Sequence, residues 1–164
     1  MKTPVLGLDF GWTLANLDNV ENVLEKFELL TPTELIAIPE YEGCLRAVSE
    51  LATCFQSVYV ISACTKPMEA NVRLWLDMKG YVGGNAPLHS NRIHFCLERS
   101  GKAPLCEVLG ITHFVDDRFD VLGHLHSVPY RFQFGRRDEN HFVPNVPILD
   151  NWKELGAAIK ATLL

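Results

Sequence analysis

None of the apolar runs in this sequence approaches the roughly 20 residues that span a bilayer, so no membrane role is expected. There is no C-x-x-C pair, and the cysteines are five and scattered: Cys44, Cys54, Cys64, Cys96 and Cys106. An odd, dispersed set argues against a disulfide framework or a structural zinc site. No repeat, low-complexity stretch or linker is present. Basic side chains are in the minority, 15 against 20 acidic ones, for a formal charge of −5. That argues against tight non-specific binding to nucleic acid while leaving room for a local basic patch. The start, Met1-Lys2-Thr3-Pro4, runs directly into an apolar stretch broken by Asp9, and no secretory signal is expected. The expectation is a reduced, cytoplasmic chain in which each thiol is a small buried hydrophobe.

What remains has the composition of one globular domain. The 164 residues are 48% apolar and 21% charged, enough for a single core and too short for two. Apolar runs alternate with helical stripes. Val5–Asp9, Val58–Ser62, Ile93–Leu97, Thr112–Asp116 and Tyr130–Phe134 read as five strands. The first two are almost continuously apolar, as parallel strands covered on both faces tend to be. Tyr130–Phe134 alternates and is expected at an edge. Leu45, Val48, Leu51, Ala52 and Phe55 share a helical face within 42–55, and Met68, Val72, Trp75 and Leu76 share another that Gly80 would stop. Pro67 and Pro104 fall where a first helical turn tolerates proline. Asn151 with Glu154 predicts a capping box before a last helix carrying Trp152, Leu155, Ile159 and Leu163. The alternation predicts a three-layer, Rossmann-like α/β domain over 1–164, with a five-stranded parallel sheet, the Asp9 strand in its middle and helices on both faces.

In such sheets chemistry collects at the carboxyl ends of the strands. Asp9 ends the first strand, Ser62 the second and Asp116-Asp117 the fourth, while Lys102 opens the helix after the third. A lone strand-end aspartate is usually a turn residue; this ordered set is less ordinary.

The set resembles the haloacid dehalogenase (HAD) superfamily, whose first motif is an apolar strand followed by D-x-D-x-T. Here that segment reads Val5-Leu6-Gly7-Leu8-Asp9-Phe10-Gly11-Trp12-Thr13. The strand ending in Ser62 matches the second motif, Lys102 the third, and Phe114-Val115-Asp116-Asp117-Arg118 the fourth, in order from 5 to 118. The resemblance implies a Mg²⁺-dependent phosphohydrolase. In it Asp9 is the nucleophile that forms an aspartyl phosphate, Ser62 donates to a phosphate oxygen and Lys102 neutralises charge. Asp9, the Gly11 carbonyl and Asp117 would hold Mg²⁺, and Asp116 would orient Lys102 or a water on the metal. Asp-Asp-Arg at 116–118 is shared with nucleotidase-like and polynucleotide-phosphatase-like branches.

Gly11 departs from the pattern, since the second aspartate of the first motif protonates the leaving group and later activates water. Its loss should spare the carbonyl ligand and remove an acid/base worth roughly 100- to 10,000-fold. Trp12 stands where a glycine is usual; it either walls the pocket, where it could stack on a planar group, or packs under the turn. Dehalogenase and phosphonate-cleaving branches also differ at the acid/base position, but their fuller first motifs are not matched. A catalytically impaired module that binds phosphate or phosphoproteins is the alternative reading.

Neither the interval after Thr13 nor that between Ser62 and Lys102 has room for a full cap domain. The first should hold one short helix within an insert at about 15–40, with Val20, Val23, Leu24, Phe27 and Leu30 on one face and Asp18/Glu21 as its capping box. An open site suits a large or nucleotide-type phosphoester, such as a protein or nucleic-acid end, or a protein partner that closes it. Arg131, Arg136, Arg137 and His141 could contact phosphate or form a solvated loop. His124 and His126 match no zinc spacing.

Overall fold

The computed structural model describes residues 3–135 and 140–164. Its six strands form one parallel sheet: β1 (Val5–Leu8), β2 (Ser57–Ala63), β3 (Ile93–Cys96), β4 (His113–Asp116), β5 (Tyr130–Phe134) and β6 (Ile148–Leu149), in the order β3-β2-β1-β4-β5-β6. β1 lies between β2 and β4, with Leu6 opposite Val58 on one side and His113 on the other. The sheet has one strand more than the sequence pattern predicts. β6 is only two residues long, too short to show a period, and it pairs outside β5. β5 is therefore an inner strand, and its Phe132 and Phe134 are buried.

Strand alternation sends side chains to two separate cores. Leu6, Leu8, Val58, Val60 and Val115 face α3 (Cys44–Ala52), α4 (Glu69–Met78) and α7 (Trp152–Ala161). Val5, Ile61 and Phe114 face α5 (Lys102–Val108) and α6 (Phe119–Leu122). This is the expected three-layer arrangement, with helices on both faces. The stripe within 42–55 forms as a shorter helix, α3, burying Cys44, Val48 and Leu51. α4 ends at Met78, and Gly80, at φ +82°, makes the left-handed exit; a side chain there would be strained. The Asn151 side chain accepts from the Glu154 amide at the start of α7. Gly7 permits close strand packing, since a Cβ there would lie 2.5 Å from Phe114 Cδ2.

Between β1 and α3 the chain makes two short helices rather than one: α1 (Val23–Lys26), continued by a 3₁₀ turn at Phe27–Leu29, and α2 (Pro32–Ala37). Asp18 and Glu21 do not cap the first. Its N-cap is Asn22, in left-handed conformation with no side-chain bond. The capping box forms at Thr31/Glu34 instead, with Pro32 in the first turn. That T-P-T-E run carries both the box and the favoured proline, a fuller start signal than Asp18/Glu21. Val23 and Phe27 are buried, whereas Leu24 is 65% exposed. Trp75 Nε1 donates to the Ile38 carbonyl at 3.1 Å, tying the segment to α4.

All five cysteines are free thiols; Cys44 and Cys106 are buried, Cys64 and Cys96 half-buried, and Cys54 exposed. Cys54 corrects the expectation of uniform burial, because it follows the end of α3, outside the helix stripe. Among the described residues no helix is long and apolar enough to cross a membrane.

Candidate active site

The carboxyl ends of β1, β2 and β4 converge with the start of α5 on one cavity of about 180 Å³, open on one side. Asp9 follows β1 directly, and its amide donates to the Val115 carbonyl, so the strand pairing carries on to Asp9 itself. The next residues turn back sharply. The Phe10 carbonyl accepts from the amides of Thr13, Leu14 and Ala15, and Trp12 N–H donates to the Ala15 carbonyl at 2.8 Å. Trp152 Nε1 on α7 donates to the Thr13 carbonyl at 2.9 Å and holds the turn from below.

Lys102 reaches across this floor. Its Nζ donates to Asp9 Oδ1 and to Asp116 Oδ2, both at 2.7 Å, in a buried three-residue ion cluster. Removing a charge of this kind leaves its partners buried and uncompensated. The Lys102 ammonium also stands 5.7 Å from the centre of the Phe114 ring. Gly101 permits this placement, since a Cβ there would lie 2.7 Å from Cys96 Cβ on β3. Asp116 Oδ1 accepts from the Arg118 amide at 3.0 Å. Thr13 Oγ1 makes a long contact of 3.4 Å with Asp9 Oδ2.

The electrostatics follow from crowding. Burial would lower the Lys102 pKa, but Asp116 and Asp9 outweigh it and hold the ammonium above its ordinary value. Burial and the neighbouring Asp9 carboxylate push Asp116 up to about 7, against the pull of Lys102. Asp9, Asp116 and Asp117 are all buried, and one oxygen from each lies within 4.8 Å of the others. Three buried carboxylates this close together make a donor set suited to a hard divalent cation.

The structure brings Asp9, Gly11, Ser62, Lys102 and Asp117 together on the cavity lining, while Asp116 sits behind Lys102. Trp12 takes the first of the two expected places. It lines the cavity and also packs against the core, at a left-handed φ of +58°. Sequence reading missed the rim arginines. Arg118 pairs with Asp120 through Nε at 2.9 Å and Nη2 at 3.0 Å, and Arg99 Nη1 stands 3.5 Å from the same carboxylate. Only Arg118's place beside Asp117 hinted at this. The suggested basic patch does not assemble among the described residues. Arg131 donates to the Leu122 carbonyl and His141 stacks on Phe119; Arg136 and Arg137 lie outside the described residues. His124 and His126 are exposed, His124 bonding the Asp120 carbonyl.

A parallel sheet in this order, with acids at its strand ends and a lysine against them, defines a three-layer α/β fold with known counterparts. A haloacid dehalogenase-like hydrolase from Xanthomonas campestris superposes over 97% of this chain and 95% of its own, with a TM-score of 0.68 at 12% identity. One from Burkholderia xenovorans matches over 99% of this chain and 100% of its own, with a TM-score of 0.64 at 12% identity. A dehalogenase solved with an intermediate complex matches over 95% and 96%, with a TM-score of 0.63 at 11% identity. No protein-family model and no curated protein matches the sequence. The chain has the fold of the haloacid dehalogenase superfamily, expected from its four motifs.

Proposed function

We propose that this chain is a Mg²⁺-dependent phosphohydrolase of the HAD type, a single domain without a full cap, working in the cytoplasm. The carrying observation is the buried cluster in which Lys102 bonds both Asp9 and Asp116 while Asp117 stands within 4.8 Å of them. Asp9 is the nucleophile: its carboxylate is held at the cavity floor by Lys102 and attacks phosphorus. Ser62, at the end of the neighbouring strand, donates to a phosphate oxygen. Lys102 offsets the charge that gathers as two anions approach, and Asp116 fixes the position of Lys102 by accepting its second hydrogen bond. Asp9, the Gly11 carbonyl and Asp117 would hold Mg²⁺, whose contribution is to neutralise the phosphate dianion. Five free thiols support a reducing compartment.

The fold neighbours include dehalogenases, so the fold by itself does not choose the leaving group. The donor set favours phosphate. A halide leaving from carbon needs no divalent cation, whereas a third buried carboxylate beside the nucleophile suits one. Hydrolysis of p-nitrophenyl phosphate with Mg²⁺ tests the assignment. Wild type should turn over and Asp9→Asn should lose at least a thousandfold, because an amide cannot form the acyl phosphate. Equal rates in the two proteins would refute catalysis at this site. An inactive wild type that still binds inorganic phosphate would point instead to the phosphate-binding module that Gly11 suggests.

A further inference from the structure

The cavity lining mixes two kinds of residue. Asp9, Arg99, Lys102, Asp117 and Arg118 are ionisable, while Trp12, Leu24, Phe27 and Met68 are apolar and come from the segment after β1 and the entry to α4. An in-line displacement places the leaving oxygen opposite the attacking carboxylate. With Asp9 at the sheet end, that direction runs away from the sheet and into the cavity that these apolar residues help to line. Leu24 lines the cavity yet is 65% exposed, so an apolar group seated there would cover it. The whole cavity is about 180 Å³ and open on one side, so a ring beside a phosphoryl group can extend past Leu24 towards solvent.

Among the described residues, the lining also holds no spare carboxylic acid or imidazole to protonate that oxygen. Besides Asp9 and Asp117 it offers no carboxylate and no histidine, and its lysine is committed to two ion pairs. An alkoxide, about as basic as hydroxide, cannot leave without a proton, whereas a phenolate, with a conjugate acid near pKa ~10, can.

We propose that the site takes aryl phosphomonoesters, the ring resting on Trp12, Leu24 and Met68 and the phosphoryl group facing Asp9; this rests on the phosphohydrolase reading above. An Asp9 oxygen bonds to phosphorus, the bond from phosphorus to the aryl oxygen breaks, and phenolate departs with the electron pair to take its proton from solvent. Water then cleaves the acyl phosphate, releasing inorganic phosphate and restoring the carboxylate.

Calorimetry of phenylphosphonate and methylphosphonate, with Mg²⁺ present, tests the ring site without turnover. Wild type should bind the phenyl compound at least tenfold more tightly, and the preference should collapse in Leu24→Asp, whose exposed position spares the fold. Trp12→Gly, which suits the left-handed backbone, should reduce it as well. Turnover supplies the second arm: kcat/KM for phenyl phosphate should exceed that for glycerol phosphate at least a hundredfold. A phosphotyrosyl peptide carries the same phenolic leaving group, and its kcat/KM relative to phenyl phosphate tells whether the ring arrives free or on a chain. Equal binding of the two phosphonates, with acetyl phosphate still hydrolysed, overturns the aryl assignment alone. If neither phosphonate binds and acetyl phosphate is untouched, the phosphohydrolase reading falls with it.

Discussion

A Cβ built on Gly11 would lie 3.1 Å from Leu17 Cδ1, the end of a flexible side chain, so a larger residue fits there after a shift of a few tenths of an ångström. Gly11→Asp would therefore place a carboxylate on the cavity lining two residues after Asp9. It should raise hydrolysis of alkyl phosphates by about 10- to 100-fold, because those leaving groups need the proton. p-Nitrophenyl phosphate should gain far less, and steady-state rates on the two substrates check the difference. Lys102 is the opposite case, a residue the fold depends on. Lys102→Met leaves Asp9 and Asp116 buried without their ammonium. It should cost roughly 3–5 kcal/mol in urea unfolding. Both residues were legible in the sequence as motif members. That Lys102 bonds two carboxylates at once was not, because the contacts join residues 93 and 14 positions apart.

At the level of elements, the central strands and α7 were readable from periodicity. The short pieces were not: α1 is four residues long and β6 two, and neither is long enough to display a period. One buried group links two elements in a way that pH exposes. His113 on β4 bonds Thr112 Oγ1 at 2.7 Å and, across to the end of α7, Thr162 Oγ1 at 2.8 Å. Burial pushes its pKa down from 6.5 to about 4. The imidazole is then neutral in the folded protein, while the unfolded chain takes up a proton below pH 6.5. Its stabilising contribution is full above that pH and declines as pH falls from 6.5 towards 4. His113→Gln should flatten the Tm profile over that window relative to wild type, measured by calorimetry at matched ionic strength.

For the molecule as a whole, a cation held by the acidic cluster would couple ligand to folding, since Asp9 and Asp117 follow β1 and β4 and meet only in the native state. Mg²⁺ at about 100 times its Kd should add about 2.7 kcal/mol. For a domain of this size that is roughly 5–10 °C in Tm. EDTA should abolish the shift and Asp117→Asn should shrink it strongly. Asp116→Asn should shrink it less, because Asp116 is engaged by Lys102 and by the Arg118 amide. A scan showing no Mg²⁺ effect at millimolar concentration would end the metal-dependent reading.

By itself the sequence determined the alternation of strands and helices, the central place of the Asp9 strand and the identity of the polar residues at the strand ends. Each of these follows from local hydrophobic period and from the order of the motifs along the chain. Only the tertiary structure decided the rest. β6 became the edge because a two-residue strand is stabilised by its neighbour and not by its own pattern. Cys54 stayed exposed because α3 ends before it. Trp12, Leu24, Phe27 and Met68 joined the lining of one cavity although they lie on separate turns and helices. Apolar residues at such spacings read equally well as core; which of them face a cavity depends on how the segment after β1 folds over the sheet end, a long-range outcome that no local window contains.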